Sequence, residues 1–188
     1  MKLTAEQLAA CCQCTPERAR QWLPFLTEAM GAYQIDDSAE RVAPFLAQIG
    51  HESASLRFTR ELWGPTDAQK RYEGRKDLGN TQPGDGYRFR GHGLIQTTGR
   101  ANHRRVRDRL RARLGYDVVP DFELDPASLA LPRWAALSAG DYWDDRGLNA
   151  LADTGQFERI TRRINGGLNG QEDRVRRWLL ARAALGIA

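Results

Sequence analysis

The chain has 188 residues, of which 41% are hydrophobic and 28% are charged, a balance typical of one globular domain with its own core. No apolar run approaches the roughly 18 residues that a membrane-spanning helix needs, and the first residues lack the apolar core of a secretory signal. The net charge of +4, with a pI near 9.2, favours an anionic partner such as a bacterial envelope, a nucleic acid or a membrane surface.

Capping signals predict three helices in the first part of the chain. Thr4 opens a capping box with the glutamine three residues later, and Thr15 precedes a proline at the first position of a second helix. Asp37 or Ser38 begins a third helix, whose apolar residues recur at helical spacing up to Glu52. The fold is therefore predicted to be mainly α-helical.

Residues 64–93 have a different composition. Glycine, proline, aspartate and asparagine punctuate this segment, and Asp85-Gly86 is a turn signal. Aromatic residues alternate with arginines over residues 87–90, which predicts a short strand. We therefore expect a small loop-rich lobe here, irregular or hairpin-like, of the kind that often carries binding groups.

Helices are predicted again in the second half of the chain. Periodic apolar residues indicate helices at 102–114 and 134–143, and a further helical segment over 147–164. No repeat, low-complexity tract or linker interrupts the sequence, so residues 1–188 are predicted to form a single domain. A last helix is predicted to bury one apolar face, formed by Val175, Trp178, Leu179 and Leu185.

Three cysteines lie in one short segment. Cys11, Cys12 and Cys14 are too close together to pair readily, and no other cysteine is present to pair with them. The favoured interpretation is free, buried thiols. A metal site is the alternative, but the segment offers at most three ligands where zinc usually takes four, and we expect no metal.

Two glutamates are the leading candidates for catalysis. Glu52 follows an apolar helical run, where a carboxyl group is expected to be partly desolvated and suited to act as a general acid. Glu61 lies beside Arg60 near a segment break, which suits an ionised carboxylate acting as a base. Two carboxyl groups in different environments are what glycoside hydrolysis requires. A zinc-protease motif is excluded because Ser55 stands where its second histidine would be.

One longer stretch carries a more specific pattern. Residues 84–102 read Gly-Asp-Gly-Tyr-Arg-Phe-Arg-Gly-His-Gly-Leu-Ile-Gln-Thr-Thr-Gly-Arg-Ala-Asn, between His-Glu-Ser at 51–53 and Asn-Gly-Gly at 165–167. In this order the motifs resemble glycoside hydrolase family 19, the lysozyme-like chitinases, in its phage endolysin branch. The resemblance covers nearly the whole chain. It implies a lysozyme-like (α+β) glycosidase fold and an inverting mechanism, with two carboxyl groups about 6.5–9.5 Å apart.

The resemblance also implies a role for each matching residue. Glu52 would be the general acid, Glu61 the general base, and Thr98 would help to hold the nucleophilic water. Local alternatives stay open: packing or capping for Thr98, a helix cap for Asn102 and a turn for Asn165. No metal or cofactor is implied. The residues implied to bind substrate are His51, Tyr87, Arg90, Gln96, Asn102 and Asn165.

Three positions depart from the family pattern. Thr97 stands where an aliphatic residue is usual, so the role implied for Thr98 could shift by one residue. The usual Arg-Gly-Arg-Gly is Arg90-Gly91-His92-Gly93 in this chain, and His103 stands where a tyrosine is common. A histidine at position 92 can still donate a hydrogen bond, but its charge varies near neutral pH. The role of position 92 is therefore open, and His103 could alter stacking on a sugar.

Arginines crowd the segment from residue 100 to residue 113. An apolar face formed by Val106, Leu110 and Leu114 leaves the rest of this helix to the arginines. They form either a solvated helix face or a surface that attracts an anionic envelope. Nucleic acid is not expected as a partner, because interleaved aromatics and a known binding motif are missing. The arginines are Arg100, Arg104, Arg105, Arg107, Arg109, Arg111 and Arg113.

The sequence therefore predicts a phage or prophage endolysin, a muramidase that hydrolyses β-1,4 bonds of bacterial peptidoglycan. One alternative is a chitinase with the same machinery. An alternative of another class is a basic module that binds an envelope or a nucleic acid without catalysis. We expect a monomer without a separate cell-wall-binding domain. Synthesis is expected in the host cytoplasm, with action at the periplasmic wall after release by another factor.

Overall fold

Helices make up most of the structure, as predicted. Over residues 1–187, which the computed structural model describes, no helix combines the length and hydropathy that a bilayer crossing would require. Two 3₁₀ helices lie at Lys76–Leu78 and Pro126–Ala130. The α-helices are α1 (Ala5–Cys12), α2 (Pro16–Ala32), α3 (Ala39–Glu52), α4 (Asp67–Lys70), α5 (Asp85–Arg88), α6 (Arg100–Leu114), α7 (Pro132–Asp145), α8 (Leu148–Asp153), α9 (Phe157–Asn165) and α10 (Gln171–Ala184).

The first three helices begin where their capping residues predict. The side-chain oxygens of Thr4, Thr15 and Ser38 each accept a hydrogen bond, 3.2 Å long, from the backbone N–H three residues later. Of the two predicted starts for α3, Ser38 is therefore the cap and Asp37 is not. Each such cap stabilises a helix by about 1 kcal/mol.

The chain forms two compact units. One comprises Met1–Arg57 and Tyr142–Ala188, and the other comprises Phe58–Asp141. The boundary falls within α7, and the loop-rich segment predicted at 64–93 belongs to the second unit.

Helix α3 forms the core of the first unit and packs against α1, α8 and α10. Its residues Phe45, Leu46 and Ile49 are almost completely buried, and the Phe45 ring meets the Trp143 ring edge to face, with centroids 5.3 Å apart. Burying a large apolar side chain stabilises the fold by about 1.5–3 kcal/mol. The position of Glu52 at the end of this helix therefore rests on a tightly packed element.

The apolar face predicted for the last helix is partly wrong. Leu179 is 55% exposed, whereas Arg174, Arg177 and Ala181 are buried on α10. Trp178 does pack, since its ring stacks on Phe157 with centroids 4.5 Å apart. The interior-facing side of α10 is thus polar, because its two buried arginines have acidic and carbonyl partners in the first unit.

The strand predicted at residues 87–90 is wrong, because Asp85–Arg88 is a single helical turn. The Asp85 carboxylate accepts hydrogen bonds from the backbone N–H groups of Thr81 and Gln82, at 3.1 and 3.0 Å. These bonds close a turn that the alternating pattern did not reveal. Isolated antiparallel bridges instead pair His92 with Arg60 and with Thr97. The segment is therefore irregular rather than a hairpin.

The cysteines are free, as predicted: Cys11 and Cys12 are buried and Cys14 is half-buried. Burial raises the pKa of the Cys11 thiol to about 12 and that of the Cys12 thiol well above its ordinary value. Since the thiolate is the reactive form, these two side chains act as small apolar core residues.

Candidate active site

Glu52 ends α3 and pairs with a buried arginine. Its Oε1 accepts a hydrogen bond from Nη2 of Arg174 at 2.6 Å. The Glu52 side chain is 23% exposed and that of Arg174 is 3% exposed. Glu52 is therefore partly desolvated, as predicted, but it has a cationic partner that the sequence did not reveal. Charge-assisted bonds of this kind fix the orientation of a carboxylate.

Arg174 also joins Glu52 to residues deeper in the first unit. Its guanidinium donates to Oε1 of Gln48 and, through Nε, to the carbonyl oxygen of Asn169 at 3.3 Å. The amide of Gln48 in turn donates to Oγ1 of Thr161 at 2.9 Å. Asn165 donates from Nδ2 to the same Asn169 carbonyl at 3.4 Å. The predicted substrate-binding Asn165 is thus tied to the predicted acid through one arginine.

His51 takes part in a second network beside Glu52. Its Nδ1 lies 2.7 Å from Oδ2 of Asp173, which also accepts from Nε of Arg177 at 2.7 Å. Burial alone would raise the pKa of Asp173, but the hydrogen bonds from Arg177 and His51 outweigh it and hold that pKa well below its ordinary value. Because the carboxylate only accepts, Nδ1 of His51 carries the proton. This network fixes the His51 ring next to Glu52.

Glu61 is held by neutral donors in the second unit. Oε2 accepts the backbone N–H of Gly91 at 3.0 Å, and Oε1 accepts from Nε2 of Gln69 at 3.0 Å and from the Tyr72 hydroxyl at 3.4 Å. Burial and then the charge of Glu61 raise the pKa of Tyr72, so this hydroxyl keeps its proton. All the partners donate, and this is the geometry of a carboxylate.

Gln96 lies directly beside the residue that holds Glu61. A Cβ added to Gly91 would come within 2.5 Å of Oε1 of Gln96, so a larger residue at position 91 would displace the Gln96 amide. Gln96 itself adopts a left-handed backbone conformation, with φ of 55°, which is uncommon for a residue other than glycine. The structure therefore brings Glu61, Gly91 and Gln96 together.

Thr98 follows on the same turn, and Asn102 lies in the first turn of α6. The Thr98 hydroxyl donates to the Gln96 carbonyl oxygen at 3.0 Å, which leaves its oxygen lone pairs as acceptors. Nδ2 of Asn102 donates to the Thr98 carbonyl oxygen at 2.7 Å. Asn102 does not cap α6, because Gly99 is the N-terminal cap and makes no side-chain bond. Asn102 instead braces the Thr98 backbone from an exposed position.

Tyr87 and Arg90 form an aromatic and cationic surface near Glu61. The Arg90 guanidinium carbon lies 4.2 Å from the centre of the Tyr87 ring, and Nη1 donates to the Tyr87 carbonyl oxygen at 2.9 Å. Tyr87 is 52% exposed. Its ring meets Trp63 edge-on with centroids 5.2 Å apart, and Trp63 also contacts Tyr72. The flat apolar faces of such rings suit the apolar faces of sugars.

The arginine-rich helix α6 is heavily ion-paired. Arg104 and Arg107, for example, both reach Glu123, at 2.7 and 3.3 Å. These contacts give the arginines a structural role that a purely solvated face would lack. The further pairs are Arg100 with Asp85 and Glu123, Arg107 with Asp108 and Asp121, and Arg109 with Asp141.

Sequence reasoning missed the supporting residues of the candidate site. Arg174, Asp173 and Gln48 are each separated from their partner by more than a hundred residues in sequence, so no local pattern could pair them. A signal was present for α10, since Arg174, Arg177 and Ala181 share one face at helical spacing. Over residues 1–187, no group of three or more histidine, cysteine, aspartate or glutamate residues could hold a metal ion.

Comparisons with known proteins agree with the motifs. No protein-family model matches the chain. A glycosyl hydrolase family 19 domain-containing protein of Haemophilus influenzae is 34% identical over 162 residues, covering 71% of this chain and 74% of that protein. The crystal structure of chitinase C from Streptomyces griseus has a TM-score of 0.74 at 20% identity, covering 98% of this chain and 77% of that one. A chitinase C mutant gives a TM-score of 0.72 at the same identity and coverage.

Proposed function

The chain belongs to glycoside hydrolase family 19, and we propose that this glycoside hydrolase is an endolysin that cuts peptidoglycan by inversion, with Glu52 as acid and Glu61 as base. The observation that carries the proposal is the contrast between the two carboxyl groups. Glu52 is held by one guanidinium, whereas Glu61 is held by neutral donors. Pairs of carboxyl groups with distinct surroundings divide the acid and base roles between them.

The contacts of Glu52 suit the carboxylate that remains once this residue has given its proton to the glycosidic oxygen. Arg174 occupies Oε1, so the proton to be donated belongs on Oε2, which accepts no hydrogen bond from the described residues. Once that proton has left, the guanidinium stabilises the negative charge that remains on the carboxylate. Since Arg174 is also bonded to Gln48 and to the backbone, it can do this without moving.

The surroundings of Glu61 suit activation of a water molecule. Glu61 accepts the proton that the water loses as it attacks the anomeric carbon. The Gln96 side chain lies against Gly91, which donates to Glu61, and the Thr98 oxygen retains acceptor capacity. These groups can orient the water, with general acid–base effects of roughly 10²–10⁴-fold for each carboxyl group.

Substrate binding is proposed for the polar and aromatic residues beside each carboxyl group. Tyr87 and Trp63 offer ring faces for stacking, and Arg90 keeps the Tyr87 ring in place. Asn165 offers an amide to the N-acetyl or hydroxyl groups of a sugar. His51, fixed by Asp173, offers its second ring nitrogen for the same purpose.

Glu52→Gln and Glu61→Gln test the acid and base roles. Each should lower clearing of outer-membrane-stripped bacteria by roughly 10²–10⁴-fold, while circular dichroism shows a folded protein. Glu17→Gln, at an exposed position in the first turn of α2, is the matched control and should keep full activity. A folded Glu52→Gln variant that still clears cells would refute the acid role. Loss of clearing with binding to sacculi retained would exclude the alternative of a non-catalytic binding module.

The polymer and the bond cut are tested on purified sacculi. The proposal expects hydrolysis of the link from N-acetylmuramic acid to N-acetylglucosamine, so borohydride-reduced digests should contain muramitol ends in mass spectra. Glucosaminitol ends would show a glucosaminidase instead. Soluble products from chitin together with intact sacculi would replace the endolysin proposal with a chitinase.

We also propose that α6 attracts the anionic envelope, where the protein acts at the periplasmic wall after release from the host cytoplasm. Arg105 and Arg113 are exposed on this helix, and long-range attraction speeds encounter more than it strengthens binding. Changing both to glutamine should slow lysis most at low salt and leave the rate on a small neutral oligosaccharide unchanged. Equal losses on cells and on the oligosaccharide would contradict this role.

A further inference from the structure

Two histidines of the second unit are buried against each other. His92 is 1% exposed and His103 is 0% exposed, and Nδ1 of His92 lies 3.1 Å from Nε2 of His103. The two rings are nearly perpendicular, with centroids 5.2 Å apart. These are the two positions at which the chain departs from the family pattern of arginine and tyrosine. The two residues that differ from this pattern are therefore in direct contact with each other.

A single arrangement of protons satisfies this contact with both rings neutral. Nδ1 of His103 lies 2.9 Å from the Gly99 carbonyl oxygen, which only accepts, so this nitrogen carries the proton and Nε2 has a lone pair. Nδ1 of His92 must then donate to it. Burial lowers the pKa of His103 to about 4. Burial, followed by the proximity of His103 and of the positive charges of Arg90 and Arg60, lowers that of His92 to about 3.

The backbone of His92 belongs to the turn that holds Glu61. His92 and Thr97 exchange backbone hydrogen bonds of 3.0 and 2.8 Å. The preceding residue, Gly91, accepts the backbone N–H of Glu61 at 2.8 Å and donates its own N–H to the Glu61 carboxylate at 3.0 Å. Gln96 lies inside the same turn. The His92 side chain therefore ties this turn to the first turn of α6, which carries His103.

We propose that the His92–His103 pair positions the turn at residues 91–98 so that Glu61 can act as the general base. The inference rests on the proposed function of Glu61. Neither histidine touches the reacting atoms, so both are positioning residues.

A hydrogen bond rather than mere packing is needed because the turn is strained and closely fitted. Gln96 is left-handed, and a Cβ at position 91 would lie 2.5 Å from the Gln96 amide oxygen. Such a turn keeps its geometry only when its surroundings define it. An apolar side chain at position 92 would fill the space without setting the direction of the turn. A displacement of about 1 Å at a catalytic group can cost 10²-fold in rate.

Two substitutions of His92 test the hydrogen bond. His92→Leu removes the donor and should lower kcat on a soluble oligosaccharide by about 10–100-fold, with KM changed less than about twofold. His92→Asn keeps an N–H donor at the δ position and should retain most of the wild-type kcat. If the leucine and asparagine variants were equally active, the hydrogen bond would have no positioning role and the proposal would be wrong.

Restoring the family residues at both positions tests the pair as a unit. This test remains informative even if the His92→Leu variant fails to fold. His92→Arg alone places a charge beside a buried imidazole, and His103→Tyr alone removes the acceptor at its present position. Each single variant should lose kcat, and the double variant should recover most of it, because arginine can donate to the tyrosine hydroxyl. A double variant no better than the worse single variant would overturn the proposal.

Glu61→Gln separates this inference from the proposed function. If Glu61→Gln is inactive while the His92 and His103 variants all keep the wild-type kcat, only the positioning role fails. If Glu61→Gln keeps full activity, the base assignment fails, and the positioning role falls with it.

Discussion

Substitution of Arg174 should destabilise the protein more than any other single substitution in the first unit, because it leaves the buried partners of this side chain without a donor. The guanidinium is bonded to Glu52, to Gln48 and to the backbone of Asn169, and its side chain is 3% exposed. Breaking a buried ion pair by removing one partner costs about 3–5 kcal/mol. For a domain of this size, Arg174→Met should therefore lower the melting temperature by about 6–20 °C.

Arg176→Met is the matched control on the same helix. Arg176 also pairs with an acid, Asp173, and with Gln13, but its side chain is 54% exposed. Exposed pairs of this kind contribute about 0–1 kcal/mol, so this variant should melt within a few degrees of wild type. Thermal unfolding followed by circular dichroism at neutral pH compares the two. Indistinguishable melting temperatures would refute the argument that burial makes the Arg174 network critical.

Arg174→Lys distinguishes charge from geometry at the same position. A lysine keeps the positive charge but replaces a planar fork of five donors by one ammonium group. It cannot reach Glu52, Gln48 and the Asn169 carbonyl oxygen together. We expect a smaller loss of stability than for methionine, but a clear loss of kcat, because the Glu52 carboxyl group would no longer be held in one orientation. A fully active lysine variant would show that charge alone suffices.

Three further outcomes follow from the structure. The pKa of His103 in the folded protein is about 4, and that of His92 is lower still, so the unfolded chain binds more protons than the folded one below pH 6.5. The free energy of unfolding should therefore fall as the pH drops from about 6.5 to 4.5, by roughly 1.4 kcal/mol per pH unit and per histidine. An unchanged melting temperature over that range would contradict this prediction. Gly170 and Gly166 have similar φ angles, +70° and +72°, but a Cβ at Gly170 would lie 2.7 Å from Nε2 of His51, whereas nothing lies within 4 Å of a Cβ at Gly166. Gly170→Ala should therefore lose more activity and stability than Gly166→Ala. Equal losses would mean that backbone strain alone matters. Proton NMR of fresh products from a β-linked oligosaccharide should show the α anomer first, and initial release of the β anomer would rule out single displacement.

Features set by neighbouring residues could be predicted from the sequence. Thr4, Thr15 and Ser38 cap helices because the bond that each makes spans only three residues. The motifs also marked Glu61 and Gln96 as candidate site residues, and the structure joins them through the turn around Gly91. The alternating pattern at residues 87–90 wrongly predicted a strand, because four residues are too few to distinguish a strand from a turn.

Contacts between distant residues could not be predicted. Arg174 and Glu52 lie 122 positions apart, and an arginine in a helix is normally expected to face solvent. The prediction of an apolar face on α10 was partly wrong for the same reason. Hydrophobicity alone assigns Leu179 to the core and Arg174 to the solvent-exposed surface. A buried arginine becomes favourable only once its acceptors are in place, and those belong to α3 and to the turn after α9.

The turn after Glu52 shows how the position of this carboxyl group is determined. Ala54, Ser55 and Leu56 are consecutive left-handed residues, with φ of 49°, 63° and 60°, and such a conformation costs about 1–2 kcal/mol per residue. Two interactions hold it: the Ser53 hydroxyl accepts the Leu56 N–H at 2.9 Å, and Arg177 donates to Oγ of Ser55 at 3.2 Å.

Arg177 extends this support to His51, the residue before Glu52. The same guanidinium donates to the Cys12 carbonyl oxygen at 3.0 Å and to Asp173, which binds His51. Arg174, one turn earlier on α10, binds Glu52 itself. Two arginines spaced three residues apart therefore hold both sides of the chain at the end of α3. Since a strained turn persists only where its surroundings define it, the placement of the proposed acid depends on α10 as much as on the helix that carries it.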